Sequence, residues 1–203
     1  MASRPTDTCS PVEAIMSSSR CSSGVVLAGD SSFASPRRRF VSPLIAIGIY
    51  VAVASGSIDR ASLTRVGGNG IYVSTSSAMA VSDAVLSYVQ GAGITGAASG
   101  GQTTRLAVTN STLNNIVGYG IVAADFGGVA IVHATGNTLS FVGNSGLLAQ
   151  SPNAKLYATR NSVVDAQYGL LKNVGGTLVS FGDNSVTGNV APTGGTISHS
   201  AWQ

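Results

Sequence analysis

Charged and aromatic residues are both scarce in this chain of 203 residues, at 9% and 6% of the composition. Helical domains usually cover their outer faces with Glu, Lys and Arg, so this little charge disfavours a helical fold. Disordered chains combine low hydrophobicity with high charge, whereas 44% of the residues here are hydrophobic. Ser, Thr, Asn and Gly must therefore cover the outside, and that profile is typical of an all-β protein.

Cysteine and clustered positive charge are missing from most of the chain. Both cysteines, Cys9 and Cys21, precede residue 44, so neither a disulfide framework nor a cysteine metal site supports the rest. Residues 44–203 hold four Arg and two Lys against five Asp, a net charge of +1. A nucleic-acid-binding stripe needs many more cations, and we therefore expect no nucleic-acid partner.

A Gly followed by Ile or Leu recurs at intervals of 22, 23, 27, 26 and 23 residues. An aliphatic column keeps step with it, seven residues ahead of the Gly in four repeats and six in the fifth. The Gly column is Gly48, Gly70, Gly93, Gly120, Gly146 and Gly169, and the aliphatic column is Leu63, Leu86, Leu113, Leu139, Val163 and Val186.

Further apolar residues stand seven and five positions before the aliphatic column and three positions after it. In the last repeat this phase predicts that Val179 and Phe181 face inward. The pattern indicates short alternating strands separated by bends, each too small to bury its own apolar side. Such coils gain a core only by stacking on one another, as in a solenoid. The longer repeats are explained by extra corner residues in Gly96–Thr104 and Asp125–Gly128.

Asparagine and glycine mark the predicted bends. Asn137, Asn161 and Asn184 stand two positions before the aliphatic column in three consecutive repeats, and Ser111 has the same phase one repeat earlier. Stacked amides at a bend can hydrogen-bond along the solenoid axis, which predicts a structural asparagine ladder rather than a ligand site. The Gly column is expected to mark a position that needs unusual backbone angles or a close approach.

The units VTNSTLNNIVGYGIVA (108–123) and ATGNTLSFVGNSGLLA (134–149), with the closing VSFGDNSVTGN (179–189), resemble the right-handed parallel β-helix family of pectin-lyase-like proteins. More narrowly, they are similar to uncharacterised, secreted bacterial β-helix repeat proteins. The resemblance implies an all-β, right-handed parallel β-helix of about six coils over residues 44–203. It also implies a secreted or cell-surface location. It is specific for the fold and nearly silent on chemistry.

Residues 1–43 are rich in Ser and Pro and do not match the repeat, which predicts a disordered or capping extension. The segment RRRF (37–40) and the apolar run 44–54 together resemble a twin-arginine export signal. However, Gly48 within that run is in phase with the repeat, which favours a first coil of the solenoid. The run is too short, and too often interrupted by Gly and Ala, to span a bilayer.

Five Asp residues are the candidates for catalysis in the repeat region. The two carboxyl groups of a glycosidase lie about 5–9.5 Å apart. Asp83 and Asp183 share a phase but are four coils apart, about 19 Å at the usual interstrand spacing. Asp59 could approach Asp83, but Arg60 shares the phase of Asp83 and favours an exposed ion pair instead. We therefore predict no catalytic residue, no metal ligand and no cofactor.

Two other features have ordinary interpretations. His133 is expected to point outward beside Ala107 and Tyr157, and a lone surface histidine is far more often solvated than catalytic. The run 91–96 spells G-x-G-x-x-G, but a loop-like sequence follows where a dinucleotide site needs a helix. Its glycines coincide with the repeat, so we interpret it as a coincidence.

The expected outward aromatic residues are sparse and scattered, and they form no platform in the sequence pattern. They are Tyr72, Tyr88 and Tyr157, with Tyr119 and Tyr168 as further candidates. The sequence thus favours a non-catalytic repeat protein with a structural or surface-interaction role. The alternative is a carbohydrate-binding protein, or a degenerate polysaccharide lyase or hydrolase on the pectin-lyase-like scaffold. A polysaccharide or a surface partner is the expected ligand.

Overall fold

The chain is all-β in the computed structural model, which describes residues 25–27, 31–34, 39–41, 47–52, 55–74, 77–173 and 175–200. These residues form 21 strands and no helix, and every paired strand runs parallel to its neighbours from the preceding and following coils. The strands stack on three faces of a β-solenoid of about six turns, as the repeat predicts. No helix in the described part of the chain has the length and apolar character needed to cross a bilayer.

Each coil contributes one strand to each face, and the long strands β15 and β17 continue around the corner from face 2 to face 3. Face 1 contains β2 (Ser31–Ala34), β5 (Ser55–Asp59), β8 (Ser77–Ser82), β11 (Thr103–Thr109), β14 (Val129–Thr135), β16 (Ala154–Thr159), β18 (Thr177–Ser180) and β21 (Ser198–His199). Face 2 contains β3 (Arg39–Val41), β6 (Ser62–Val66), β9 (Val85–Val89), β12 (Thr112–Ile116), the first parts of β15 (Thr138–Gln150) and β17 (Ser162–Lys172), and β19 (Ser185–Thr187). Face 3 contains β1 (Val25–Leu27), β4 (Ile47–Val51), β7 (Asn69–Val73), β10 (Ile94–Ser99), β13 (Ile121–Phe126), the second parts of β15 and β17, and β20 (Ala191–Gly194).

The aliphatic column predicted from the repeat fills the core. Leu63, Leu86, Leu113, Leu139 and Val163 are each paired with the next member of the column and are at most 1% exposed. The residues three positions later pair in the same way, from Val66 to Ala166. Because aliphatic side chains stack at the interstrand spacing, each coil is buried by its neighbours above and below.

The last coil differs from the predicted phase. Leu178 and Ser180 are 0% and 4% exposed and face inward, whereas the predicted Val179 and Phe181 are only partly buried. Ala158 pairs with Ser180, so the strand is displaced by one residue relative to a count made backward from the aliphatic column. The corner after this strand holds one extra residue, with Gly182 at a φ of +81°. A prediction that counts a fixed number of residues back from the aliphatic column cannot detect an insertion at a corner.

The Gly column marks a close approach rather than an unusual backbone angle. None of its six members has positive φ. A Cβ placed on Gly70 would lie 2.5 Å from the Leu86 Cδ2 atom and 2.6 Å from the Gly93 carbonyl oxygen. The aliphatic side chain of the next coil therefore occupies the space that a Cβ would need.

The asparagine ladder is confirmed. The Asn161 Oδ1 atom accepts hydrogen bonds from the backbone N–H of Asn137 at 3.1 Å and from its Nδ2 at 3.0 Å. The Asn161 Nδ2 atom donates to the Ala134 carbonyl at 2.8 Å and to the Asn184 Oδ1 atom at 2.9 Å. Asn137 in turn accepts from the backbone N–H of Ser111 at 2.9 Å. These amides join three consecutive coils at the corner between faces 1 and 2.

The longer repeats have their extra residues at one corner, between faces 3 and 1, as predicted, but residues 96–99, 103–104 and 125–126 of the predicted segments belong to strands β10, β11 and β13. Ser99 and Gly127 form an antiparallel bridge, and the Gly101 N–H donates to the Gly127 carbonyl at 2.6 Å. Desolvation acts to raise the pKa of Asp125, but the N–H groups of Asn153, Gly127 and Gly128 donate to its carboxylate and lower the pKa below its usual value. The carboxylate thus holds this loop closed.

Strands also precede residue 44, the predicted start of the solenoid. Strands β1, β2 and β3 pair in parallel with β4, β5 and β6 of the following coil. Ile49 pairs with Ile71, so the Gly48-Ile49 segment joins the repeat as the first-coil interpretation requires. Residues 1–24, and Arg37 and Arg38 of the arginine-rich segment, lie outside the described residues.

Candidate functional site

One outward position on face 2 has a left-handed backbone in each of six coils. It stands two residues after the aliphatic column, and we call it the left-handed column. Its members are Arg65, Tyr88, Asn115, Phe141 and Asp165, with φ of 53–57°, and Gly188, with φ of 68°.

The left-handed residue explains why face 2 does not alternate simply. In the pairing of β12 with β15, Asn114 pairs with Ser140 and Ile116 pairs with Val142, while Asn115 and Phe141 are skipped. The local turn of the backbone brings the next residue inward, so that Leu113 and Ile116 both face the core. The skipped side chains project outward instead.

Large side chains at this position cost backbone energy. Glycine and asparagine tolerate positive φ, whereas other L-residues there are strained by about 1–2 kcal/mol. The chain has Asn115 and Gly188 in the column, but it also has Arg65, Tyr88 and Phe141. Strained residues of this kind cluster at binding and catalytic positions. Since these side chains add nothing to the core, their contribution is to the surface.

Two aromatic rings stand out in the left-handed column. Tyr88 is 55% exposed and Phe141 is 57% exposed, and both are among the few large hydrophobic residues that face solvent in the described chain. They lie two coils apart, about 9.6 Å along the axis at the usual interstrand spacing. Val117, 57% exposed, lies beside them. We call these two exposed rings the aromatic pair.

A row of hydroxyl and amide groups runs beside the aromatic pair. The Ser87 Oγ atom donates to the Thr64 Oγ1 atom at 3.1 Å, and the Asn114 Nδ2 atom donates to the Ser140 Oγ atom at 2.7 Å. The Asn115 side chain also donates to the Asn114 Oδ1 atom. Side chains on neighbouring coils thus hold one another in place, and each hydroxyl oxygen keeps an unused acceptor site.

The aromatic pair borders a shallow groove. One depression is lined by Arg65, Tyr88 and Gln90, and a second by Gln90, Phe141 and their neighbours up to Asp165. Tyr88 and Gln90 belong to both, so the depressions join along the solenoid axis. The only charged members of the column, Arg65 and Asp165, lie at the two ends of the groove, about 19 Å apart at the interstrand spacing. The centre of the groove is uncharged.

Other aromatic residues named from the sequence lie elsewhere. Tyr72 is half-buried and stacks on Tyr50 with ring centroids 5.8 Å apart. Burial, and secondarily electrostatic repulsion from Tyr50, raise the pKa of Tyr72 above its usual value. Tyr157 stacks on His133, which points outward as predicted.

Phe141 is the site residue that the sequence analysis missed. Tyr88 and Phe141 both stand two positions after a member of the aliphatic column, so the same phase arithmetic could have found the pair. The outward aromatic residues were expected to be scattered, and for Tyr88 that expectation is wrong. Asn115, Asp165 and Gly188 at this phase are the one sequence signal of a left-handed backbone, because these residue types tolerate positive φ.

The carboxylates form structural contacts. The Arg60 Nε atom donates to the Asp59 Oδ2 atom at 2.7 Å, so the ion pair joins sequence neighbours rather than Arg60 and Asp83 as predicted. Asp59 also accepts from the Ser82 hydroxyl at 2.9 Å. Asp183 accepts from the backbone N–H of Arg160 at 2.9 Å. The side chain adjacent in sequence reaches Asp59 without spanning the gap between coils.

Metal-binding clusters are not found where the structure describes the chain: no group of three or more His, Cys, Asp or Glu residues lies close enough to hold an ion. Comparisons of this chain with protein-family models, with curated proteins and with solved structures find no match. The assignment of a function therefore depends on the geometry of the surface alone.

Proposed function

We propose that this protein is a non-catalytic β-solenoid that binds an extended, uncharged polysaccharide along the groove of face 2. The observation that carries the proposal is the aromatic pair. Tyr88 and Phe141 are both more than half exposed, belong to one column and are held at a fixed separation by the coil spacing.

The chemistry of the groove suits a glycan. The apolar C–H faces of sugar rings pack on aromatic rings, and their hydroxyls bond to amides and hydroxyls such as Asn114 and Ser140. A polymer repeats along its length, and so does the solenoid. Rings on alternate coils, about 9.6 Å apart, would contact alternate sugars of an extended chain. An uncharged chain is favoured because the charged residues of the column, Arg65 and Asp165, lie only at the ends of the groove.

The carboxylates support binding without hydrolysis. Asp59 is paired with Arg60, Asp183 accepts from a backbone N–H, and Asp125 holds a loop. Three of the five Asp residues of the repeat region therefore have structural roles. The repeat motifs resemble right-handed, pectin-lyase-like proteins, and we include that relationship and a secreted or cell-surface location in the proposal.

Affinity electrophoresis in gels that contain hydroxyethylcellulose, xylan or glucomannan tests this function, with polygalacturonate as the charged comparison. We expect retardation by a neutral polymer, and a three- to ten-fold weaker affinity for Tyr88→Ala and for Phe141→Ala, because each loses one stacking contact. Phe126→Ala is the matched control, since Phe126 is 60% exposed at a corner outside the groove.

Two results would overturn the proposal. One is the absence of retardation by any neutral polymer. The other is an equal loss of affinity in Phe126→Ala and Tyr88→Ala, which would show that exposed aromatic surface, rather than the aromatic pair, is responsible. Release of reducing sugar by the purified chain would support the enzyme alternative instead.

A further inference from the structure

The outer side of face 1 has a second groove, which we call the His133 groove. It is an open depression of about 570 Å³ on face 1. Outward residues at one phase of the repeat form a column through it. In chain order these residues are Ser57, Ala80, Ala107, His133, Tyr157 and Val179.

A ring stack in this column ends abruptly. The rings of His133 and Tyr157 are 4.8 Å apart and inclined by only 15°. On the other side of His133 the column continues with Ala107 and then Ala80, which carry only methyl groups. The imidazole thus has one face on Tyr157 and its other face toward the space above Ala107. Small side chains form the floor and the imidazole forms a wall.

The open space has the dimensions of one more ring. Coils are spaced about 4.8 Å apart, and stacked aromatic rings have centroids about 4.5–7 Å apart. A planar ring placed above Ala107 would therefore continue the stack of Tyr157 and His133 by one step. Ala107 is half-buried, so the space above it is open to solvent.

The groove also favours negative charge. Arg105 lies on the same strand as Ala107, two residues away, and its side chain therefore projects to the same side. Lys155 occupies the Arg105 position two coils along, with Ile131 between them. Strands β8, β11, β14 and β16 contain no acidic residue. Neither cation takes part in an ion pair among the described residues.

We propose that the His133 groove binds a planar aromatic anion, with its ring stacked on His133 above Ala107 and its carboxylate on the Arg105 guanidinium. An aryl carboxylate has both groups in one rigid molecule. This site shares no residue with the groove of face 2, so its test does not depend on the polysaccharide proposal.

Proton NMR of the imidazole groups tests the site directly, because the chain has only two histidines. We expect titration with 2-naphthoate to shift the His133 ring signals upfield through the ring current, while the signals of His199 stay in place. The neutral analogue 2-naphthamide should bind about ten-fold more weakly, since it cannot form the charge-assisted bond to Arg105. Equal shifts at both histidines, or equal affinity for the two probes, would overturn the proposal.

Matched variants separate the ring from the charge. Ala107→Leu fills the space above Ala107 and removes no ligand group, and we expect it to abolish the His133 shift. Arg105→Gln should weaken the affinity for 2-naphthoate about ten-fold, whereas Arg65→Gln on face 2 should leave that affinity unchanged. A well-dispersed amide spectrum shows that each variant is folded. If Ala107→Leu does not fold, Arg105→Gln still tests the site. Unchanged affinity in Arg105→Gln, or an equal loss in Arg65→Gln, would refute the site.

Discussion

Removal of the Asn161 side chain tests whether the asparagine ladder stabilises the solenoid. Asn161 is 2% exposed, and its amide takes part in four hydrogen bonds to Asn137, Ala134 and Asn184. In Asn161→Ala the N–H of Asn137, which is itself 1% exposed, loses the acceptor that holds it. The ladder is then interrupted at its middle rung.

The expected loss of stability follows from the bonds removed. A hydrogen bond contributes about 0.5–1.5 kcal/mol net, so four bonds give a loss of about 2–6 kcal/mol. Single domains are stable by about 5–15 kcal/mol, which makes this a large effect for one side chain at a corner. Asn161→Asp keeps the acceptor for Asn137 but places a carboxylate oxygen against the oxygens of Ala134 and Asn184. We expect it to be at least as destabilising at neutral pH.

Urea unfolding followed by far-UV circular dichroism measures these changes, with Asn173→Ala as the control because Asn173 is exposed. In Asn161→Asp, burial and the facing oxygens raise the folded-state pKa of the new carboxyl group. Stability should therefore recover as pH falls through that raised pKa toward the unfolded value near 4, because protonation restores a donor.

A loss below about 1 kcal/mol in Asn161→Ala, comparable to Asn173→Ala, would refute the reasoning. It would mean that solvent replaces the amide bonds at this corner and that the core columns alone hold the coils together. Stability of Asn161→Asp that is independent of acidic pH would refute the assignment of the amide nitrogen as an obligatory donor.

Three further predictions concern the core and face 3. Gly70→Ala should lower the free energy of unfolding in urea by about 1–3 kcal/mol, because its Cβ would meet the Leu86 side chain. Gly100→Asn should leave the free energy of unfolding unchanged, since Gly100 has φ +58° and a Cβ there would have nothing within 4 Å. Leu113→Ala should cost about 2–5 kcal/mol by the same assay, as it leaves a cavity in a fully buried column. Because the folded pKa of Tyr72 is raised, its contribution to stability should be lost as pH rises above about 10, and Tyr72→Phe should remove that alkaline loss in thermal melts.

Most of the fold could be predicted from residue spacing. The aliphatic column, the asparagine ladder and the corner insertions follow from a repeat in which Leu86, Leu113 and their equivalents must stack to be buried. The candidate site could be predicted only in part, because Tyr88 was expected to face outward while its partner Phe141 was overlooked. The inward residues of the last coil were predicted one position too late, because the corner that contains Gly182 is one residue longer than in the other coils.

The sequence by itself determined the period, the core columns and the near absence of charge from the surface. These depend on residue type and spacing, which burial of apolar side chains enforces at every coil. Only the tertiary structure decided that the Gly column is a close approach, that Arg60 pairs with Asp59, and that a left-handed backbone projects the aromatic pair. Such features depend on backbone angles and on contacts between coils, and neither is encoded in the spacing of residues along one strand.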